Sequence, residues 1–148
     1  MVAILIGLLF LFGIISAKNL LTQTCKAQKA LSQKDIMDAI SDYNSKDSAH
    51  TESIILSCDY TEICFLDAER LKTNSPPITN IPYKVMQDVV TIQGDYNIFF
   101  VKGDVVEPIG FSNKLTVEGD GSLCVTSTGN SFKIIFVGKG RTTAVRTS

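Results

Sequence analysis

The chain begins with seventeen residues, MVAILIGLLFLFGIISA, that carry no charge and one polar side chain, Ser16. As a helix this segment measures about 26 Å, at the short end of what crosses a hydrocarbon core of about 30 Å. Apolar residues occupy every side of that helix, so it cannot be a surface helix with a single buried face. We therefore expect residues 1–17 to lie in lipid, to pack inside a protein assembly, or to be removed.

Three interpretations of this segment are possible, and each predicts different residues on either side of it. A cleaved secretory signal would end at Ala17, but Ile15 is bulky where a small residue is preferred, and no basic residue precedes the apolar run. A permanent membrane anchor has an unfavourable topology. Lys18 and Lys26 follow the apolar segment, and positive charges there favour a cytoplasmic location for the rest of the chain. The third interpretation is a helix that the membrane holds before assembly and that later packs against copies of itself. We favour it, because a chain that starts directly in an apolar run is typical of one whose short basic leader has been cut off.

The helical pattern continues beyond the apolar segment. Apolar and small residues recur at spacings of three and four over residues 18–31 without Gly or Pro, which predicts one helix of about 30 residues. Ser32 and Asp35 then indicate the capped start of a second, shorter helix. The apolar stripe of this short helix consists of Ile36, Met37, Ile40 and Tyr43. The polar run 44–51, which contains His50, predicts a linker.

The remaining chain has the pattern of a β-rich head. Runs of β-branched and aromatic residues alternate with Gly, Asp and Asn turn signals about every ten residues. The predicted strands are 53–57, 63–66, 89–93, 97–101, 105–109, 115–118, 123–126, 132–137 and 142–145. Residues 59–62 are expected to form the turn between the first two strands. The loop 74–82 contains three prolines, which cannot donate to a sheet.

The expected fold class is therefore α+β. A long N-terminal apolar helix is followed by a small antiparallel β-sandwich or curled β-sheet head in a meander order. The predicted boundaries are 1–31 for the assembly or membrane helix, 32–49 for the short helix and linker, and 50–148 for the extracellular head.

The composition offers neither a concentrated charge nor a catalytic arrangement. A net charge of −1 lacks the basic face that nucleic acid requires. Asp95, Asp104 and Asp120 each stand beside a Gly between two predicted strands, as turn residues do, whereas calcium requires six or more converging oxygens. The run GKGR at 138–141 lacks the strand and helix context of a phosphate-binding loop. We therefore expect no enzyme activity, no cofactor, no metal and no nucleic-acid partner.

Four cysteines, Cys25, Cys58, Cys64 and Cys124, are an even number in a chain with an export-like N-terminus, which predicts two disulfides outside the cytoplasm. Cys64 and Cys124 lie in strand-like runs and are able to join neighbouring strands, which would leave Cys25 and Cys58 to tie the helix to the head. The rival pairing joins Cys58 to Cys64 across a short hairpin. The spacings fit no zinc-finger pattern, and the single histidine, His50, lies in the predicted linker.

With its apolar N-terminal helix, amphipathic continuation and β-rich head, the chain resembles the type IV pilin-like proteins, particularly the archaeal ones. It departs from many bacterial pilins, which carry a glutamate at the fifth mature position, where this chain has Leu5. The resemblance implies a structural subunit of an extracellular filament, embedded in the membrane before assembly and partnered by copies of itself.

The residues expected to pack in the core of such a filament all belong to the apolar segment. They are Ile4, Leu5, Gly7, Leu8, Phe10, Leu11, Phe12, Gly13, Ile14 and Ile15. The large side chains supply apolar area, and the two glycines allow helices to approach closely. The alternative from another functional class is a binding domain outside the cytoplasm that is either secreted or tethered by a single membrane pass.

Overall fold

The computed structural model describes the backbone of residues 2–56 and 58–147, together with their side chains except those of residues 2–5 and 7–12. Within these residues the helices are α1 (Val2–Tyr43), α2 (Ala68–Thr73) and α3 (Lys84–Thr91). The strands are β1 (Ala49–Ile55), β2 (Glu62–Leu66), β3 (Ile98–Lys102), β4 (Val105–Gly110), β5 (Leu115–Val117), β6 (Ser122–Thr126), β7 (Ser131–Gly138) and β8 (Thr143–Thr147). The protein is thus mixed α+β, with an N-terminal helix and largely antiparallel sheets.

The strands form two four-stranded sheets, in the orders β1-β7-β8-β5 and β4-β3-β2-β6. Side chains of both sheets meet in one hydrophobic core, which includes Phe65 and Phe100 from one sheet and Phe132 and Phe136 from the other. The alternation along β7 explains its place: Phe132, Ile134 and Phe136 are buried, whereas Lys133 between them is exposed. Each sheet therefore covers the apolar face of the other.

The C-terminal half of α1 lies across the edges of both sheets. Ile36 and Ile40 are buried in the shared core. The Ser32 hydroxyl donates to the carbonyl of Ile55 in β1 (2.9 Å), and the Gln33 amide donates to the carbonyl of Ile109 in β4 (2.6 Å). Because β1 and β4 are the edge strands of the two sheets, these bonds satisfy backbone carbonyls that the sheets leave unpaired.

On another side of the head, Asp67 connects β2 to β5. Its carboxylate caps α2 by accepting from the Arg70 backbone N–H (2.9 Å) and also accepts from the Val117 backbone N–H (2.9 Å). The residue is 6% exposed, and both acceptor bonds compensate for the burial of its charge. A second apolar cluster includes Leu71, Met86 and Phe99. It joins α2 and α3 to the outer face of the sheet β4-β3-β2-β6.

The structure corrects the predicted break at residue 32. One helix runs from Val2 to Tyr43, and Ser32 lies inside it. Its hydroxyl bonds to β1 and does not cap a helix, and residues 18–31 contain no Gly or Pro that would end the first helix. The predicted second unit, 32–49, is therefore the docked half of α1 followed by a short connection. β1 begins at Ala49, so His50 lies in a strand and not in a linker.

Several strand predictions agree with the structure, but the order of the strands in the sheets does not. β1 and β2 lie in different sheets, so residues 59–62 do not form a hairpin turn. β5 pairs with β8 in parallel, with Leu115 opposite Thr143, so the head is not a simple antiparallel meander. Residues 89–93 belong largely to α3 and its end, where Met86 and Val89 are buried at a helical spacing. The sequence prediction also missed α2, although Asp67 and Glu69 are ordinary signals of a helix start.

Gly138, at the end of β7, offers a direct test of the docking between α1 and the first sheet. A Cβ atom built on Gly138 would lie 1.8 Å from the Lys46 carbonyl oxygen and 2.1 Å from that of Tyr43. Both are backbone atoms, so the end of α1 would have to move. We expect Gly138→Ala to lower the free energy of unfolding by about 3 kcal/mol in urea denaturation followed by circular dichroism.

The matched control is Gly110→Ala at the end of β4. A Cβ atom there makes an ordinary contact of 3.6 Å with Met37 Sδ, so we expect little change in stability. Equal unfolding midpoints for wild type and Gly138→Ala would contradict the described packing of the helix end.

Candidate functional site

In the N-terminal half of α1, none of the side chains that the structure describes up to residue 24 is buried by the head. Every described side chain from residue 13 to residue 24 is exposed, and Cys25 is the first described residue after them that is partly covered. Residues 2–24 correspond to about 34 Å of helix. Ile14, Ile15, Leu20 and Leu21 are between 54% and 67% exposed. Large exposed apolar patches in folded proteins are typical of interaction sites, so this surface is a candidate functional site.

The residues predicted to pack in a filament core fall on this extension. Gly13, Ile14 and Ile15 are exposed, and no side chain lies within 4 Å of a Cβ built on Gly13. The side chains of Ile4, Leu5, Leu8, Phe10, Leu11 and Phe12, and the surroundings of Gly7, lie outside the described part of the chain. Among the residues that are described, no helical stretch is sufficiently long and apolar to cross a membrane.

Two disulfides bring the four cysteines together in pairs. Cys25 is bonded to Cys58, which joins α1 to the connection between β1 and β2, and Cys64 is bonded to Cys124, which joins the neighbouring strands β2 and β6. This is the first of the two pairings that the sequence left open. Disulfides of this kind persist in oxidising compartments, which indicates an extracellular or secreted protein.

Candidate metal ligands converge at one place among the described residues, where Glu62, Cys64 and Cys124 lie together. Both sulfurs are bonded to each other, so no thiolate remains to bind a metal. The carboxylate of Glu62 accepts a hydrogen bond from the Tyr83 hydroxyl (2.7 Å). This bond and burial raise the pKa of Tyr83 to about 12.

His50 has a packing role in the structure. Its ring stacks on Tyr43 with centroids 4.2 Å apart and an angle of 9° between the planes. Its Nε2 lies 2.7 Å from the Ser48 hydroxyl. These contacts hold the end of α1 on β1. They occupy one face of the His50 ring and one of its nitrogens.

A polar cluster made of Lys29, Tyr60 and Glu107 holds α1 on β4. The Glu107 carboxylate accepts from the Lys29 ammonium and from the Tyr60 hydroxyl, the latter at 3.1 Å. The hydrogen bond from Lys29 is the largest cause that lowers the pKa of Glu107, and burial of Tyr60 beside this carboxylate raises the pKa of Tyr60 to about 12. The cluster therefore depends on an ionised Glu107.

A groove runs between α1 and β1, which we call the α1–β1 groove. It consists of two adjoining cavities of about 250 Å³ and 270 Å³ that share Asp35 and Ser53 in their walls. Asp38, Asp42 and Glu52 make the first cavity acidic. Leu31 and Ile55, which are 59% and 67% exposed, give the second cavity an apolar rim.

The sequence prediction did not identify this groove, although the three aspartates at 35, 38 and 42 follow a helical spacing. Their common face is visible in the sequence. The sequence does not reveal that β1 pairs with β7, and this pairing places Glu52 and Ser53 opposite the aspartate face.

No family model, no curated protein and no solved structure matches this chain. Three features of the chain itself bear on its function: an exposed apolar helix, an acidic groove on the docked half of that helix and two disulfides.

Removing the Cys25–Cys58 disulfide should weaken the head. The bond closes a loop with a sequence separation of 33, for which the loop-entropy relation gives about 3–4 kcal/mol. We expect the variant Cys25→Ala/Cys58→Ala to lose about 3 kcal/mol in urea denaturation under oxidising conditions. The variant Cys64→Ala/Cys124→Ala should lose at least as much, since its loop has a separation of 60. Wild-type stability of either variant would contradict the pairing.

The Lys29–Tyr60–Glu107 cluster predicts an acid dependence of stability. The pKa of Glu107 is lowered in the folded protein, so its bonds contribute stability above the ordinary carboxyl value of 4.5 and lose it as the pH falls through the folded pKa. We expect Glu107→Gln to cost about 1 kcal/mol at pH 7, a value limited by partial solvent exposure, and less at pH 3.

Urea denaturation of wild type and variant at both pH values measures this difference. Asp47→Asn is the matched control, since Asp47 is an exposed residue of the connection after α1. Equal effects of Glu107→Gln at pH 7 and pH 3 would contradict the role of the carboxylate charge.

Proposed function

We propose that this protein is a structural subunit of an extracellular filament of the type IV pilus-like class, assembled by packing of the N-terminal apolar helices of many copies. The observation that carries the proposal is the extension of α1 beyond the head with large apolar side chains exposed. Full burial of a side chain such as Ile14 or Leu20 contributes about 1.5–3 kcal/mol. A bundle of such helices from several copies would cover these side chains, whereas an isolated monomer in water leaves them exposed.

The apolar segment 1–17 is suited to two successive environments, the membrane before assembly and the filament core afterwards. Before assembly the segment lies in the membrane, where its lack of charge is suitable. On assembly it exchanges lipid for neighbouring helices, and Gly7 and Gly13 let helix backbones approach closely. The exchange keeps the apolar surface away from water throughout.

The disulfides suit the same proposal. In a filament with a helical core the heads would lie on the outside, in contact with an oxidising medium. The Cys25–Cys58 bond lies where α1 leaves the head, so it would fix the direction of the extended helix relative to the head. Every subunit would then present its helix at the same angle, as a regular polymer requires.

The test is assembly of the full chain from detergent. We expect the purified protein to form sedimenting filaments, visible by negative-stain electron microscopy, when the detergent is removed. Leu8→Asp and Phe12→Asp should each lower the sedimenting fraction at least about tenfold, because a charge inside an apolar helix core is strongly unfavourable. Their far-ultraviolet circular dichroism should still report a folded head.

Ile92→Asp is the matched control for these variants. Ile92 is 74% exposed at the end of α3, on the head and not on α1, so the same change of side chain there should leave assembly unchanged. Intact filaments from Leu8→Asp and Phe12→Asp would overturn the proposal. A wild-type protein that remains a monomer and needs detergent would instead favour a membrane-tethered binding domain, and one that remains a monomer in plain buffer would favour a secreted domain.

A further inference from the structure

We infer that the α1–β1 groove of one subunit receives the exposed half of α1 from a second copy, in a parallel arrangement shifted by about 25 Å along the helix. This inference rests on the proposed function and specifies which surfaces of two subunits meet. It follows from the distribution of charge along α1, the exposure of the residues concerned and the regular rise of a helix.

Charge divides α1 into two unlike halves. Residues 1–31 contain lysines and no acidic residue, whereas residues 32–43 contain Lys34 and the three aspartates Asp35, Asp38 and Asp42. Glu52 adds a further carboxylate to the wall of the groove. Residues 1–31 are thus basic and residues 32–43 are acidic, which is the complementarity that parallel, shifted helices require.

The charges that are available for a partner can be identified from the ion pairs. Lys29 is paired with Glu107, and Lys34 is paired with Asp38. In the part of the chain that the structure describes, neither Asp35 nor Asp42 has a basic side chain within ion-pair distance.

Two lysines on the exposed half of α1 are likewise outside any ion pair that the structure describes. Over the described residues Lys18 and Lys26 have no acidic side chain within ion-pair distance. Both are exposed. Two cations on one half of the helix therefore match two carboxylates on the other.

A single displacement aligns these charges. Asp35 follows Lys18 by seventeen residues, and Asp42 follows Lys26 by sixteen. At a rise of about 1.5 Å per residue, both separations correspond to about 25 Å along the axis. Moving one copy by this distance along a parallel neighbour brings Lys18 level with Asp35 and Lys26 level with Asp42.

The same displacement aligns apolar surfaces that the monomer leaves exposed. Ile14 comes level with Leu31, at the apolar rim of the second cavity, where Ile55 is also exposed. The groove thus offers apolar contacts toward the N-terminal side of the partner helix and acidic contacts farther along. Two independent properties, charge and apolar exposure, select one register.

Chemical cross-linking of wild-type polymers tests this register directly. A carbodiimide joins a lysine to a carboxylate without adding a spacer, so it requires contact between the two groups. We expect peptide mass spectrometry to find Lys18 joined to Asp35 and Lys26 joined to Asp42. Within one chain each pair is held about 25 Å apart on a continuous helix, so such a cross-link arises between two copies.

Charge reversal gives a second, functional test. Lys18→Glu/Lys26→Glu and Asp35→Lys/Asp42→Lys each place like charges in contact, and we expect the critical concentration for assembly to rise about tenfold for either variant alone. An equal mixture of the two should return to within about twofold of wild type, because each helix then meets a groove of opposite charge. Lys84→Glu/Lys133→Glu, on exposed positions of α3 and β7, is the control for net charge.

The outcomes separate this inference from the proposed function. Polymers that form without these cross-links, or whose assembly is unchanged in both reversed variants, would overturn the register and leave the filament proposal intact. A wild-type chain that forms no polymer under any detergent-free condition would overturn both. Rescue in the mixture together with the two cross-links would establish the register.

Discussion

The rest of the structure depends on the contact between the docked half of α1 and the edges of both sheets. Ile36 and Ile40 fill the core between the sheets, while Ser32 and Gln33 bond to edge carbonyls of β1 and β4. A single element thus supplies apolar side chains to the interior and polar side chains to the two edges. Without it both sheets would present unpaired backbone groups and an open core to water.

This contact also determines what the exposed half of the helix is able to do. Because α1 is continuous from Val2 to Tyr43, the docked half fixes the direction of the extended half. A separate anchor joined by a flexible linker would leave the head free to turn. A continuous helix with a disulfide at its exit from the head is suited to a regular assembly, in which every subunit must have the same shape.

Local patterns in the sequence predicted much of the secondary structure. The alternation of residues 131–138 and the apolar run 98–101 are strong strand signals, and both segments are strands. The apolar stripe that predicted a helix here includes Ile36 and Ile40, and both residues lie in the core of the head. These features depend on neighbours in the chain, so the sequence contains the information directly.

The remaining features depend on residues far apart in the chain. Ser32 has the local signature of a helix start, but its partner is the carbonyl of Ile55, which depends on how β1 docks. The parallel pairing of β5 and β8 follows from the path of the chain between the sheets, which alternation cannot reveal. The α1–β1 groove likewise requires Glu52 to lie opposite Asp42, and no local pattern places them together.

The position of the Cys25–Cys58 bond has a mechanical consequence. Tension applied along the extended half of α1 reaches the head first at Cys25, before the noncovalent contacts of residues 32–43. At that point a covalent bond transfers the load to the connection between β1 and β2, and from there into both sheets. The disulfide therefore shares the load with the packed surface of residues 32–43 and opposes peeling of the docked helix.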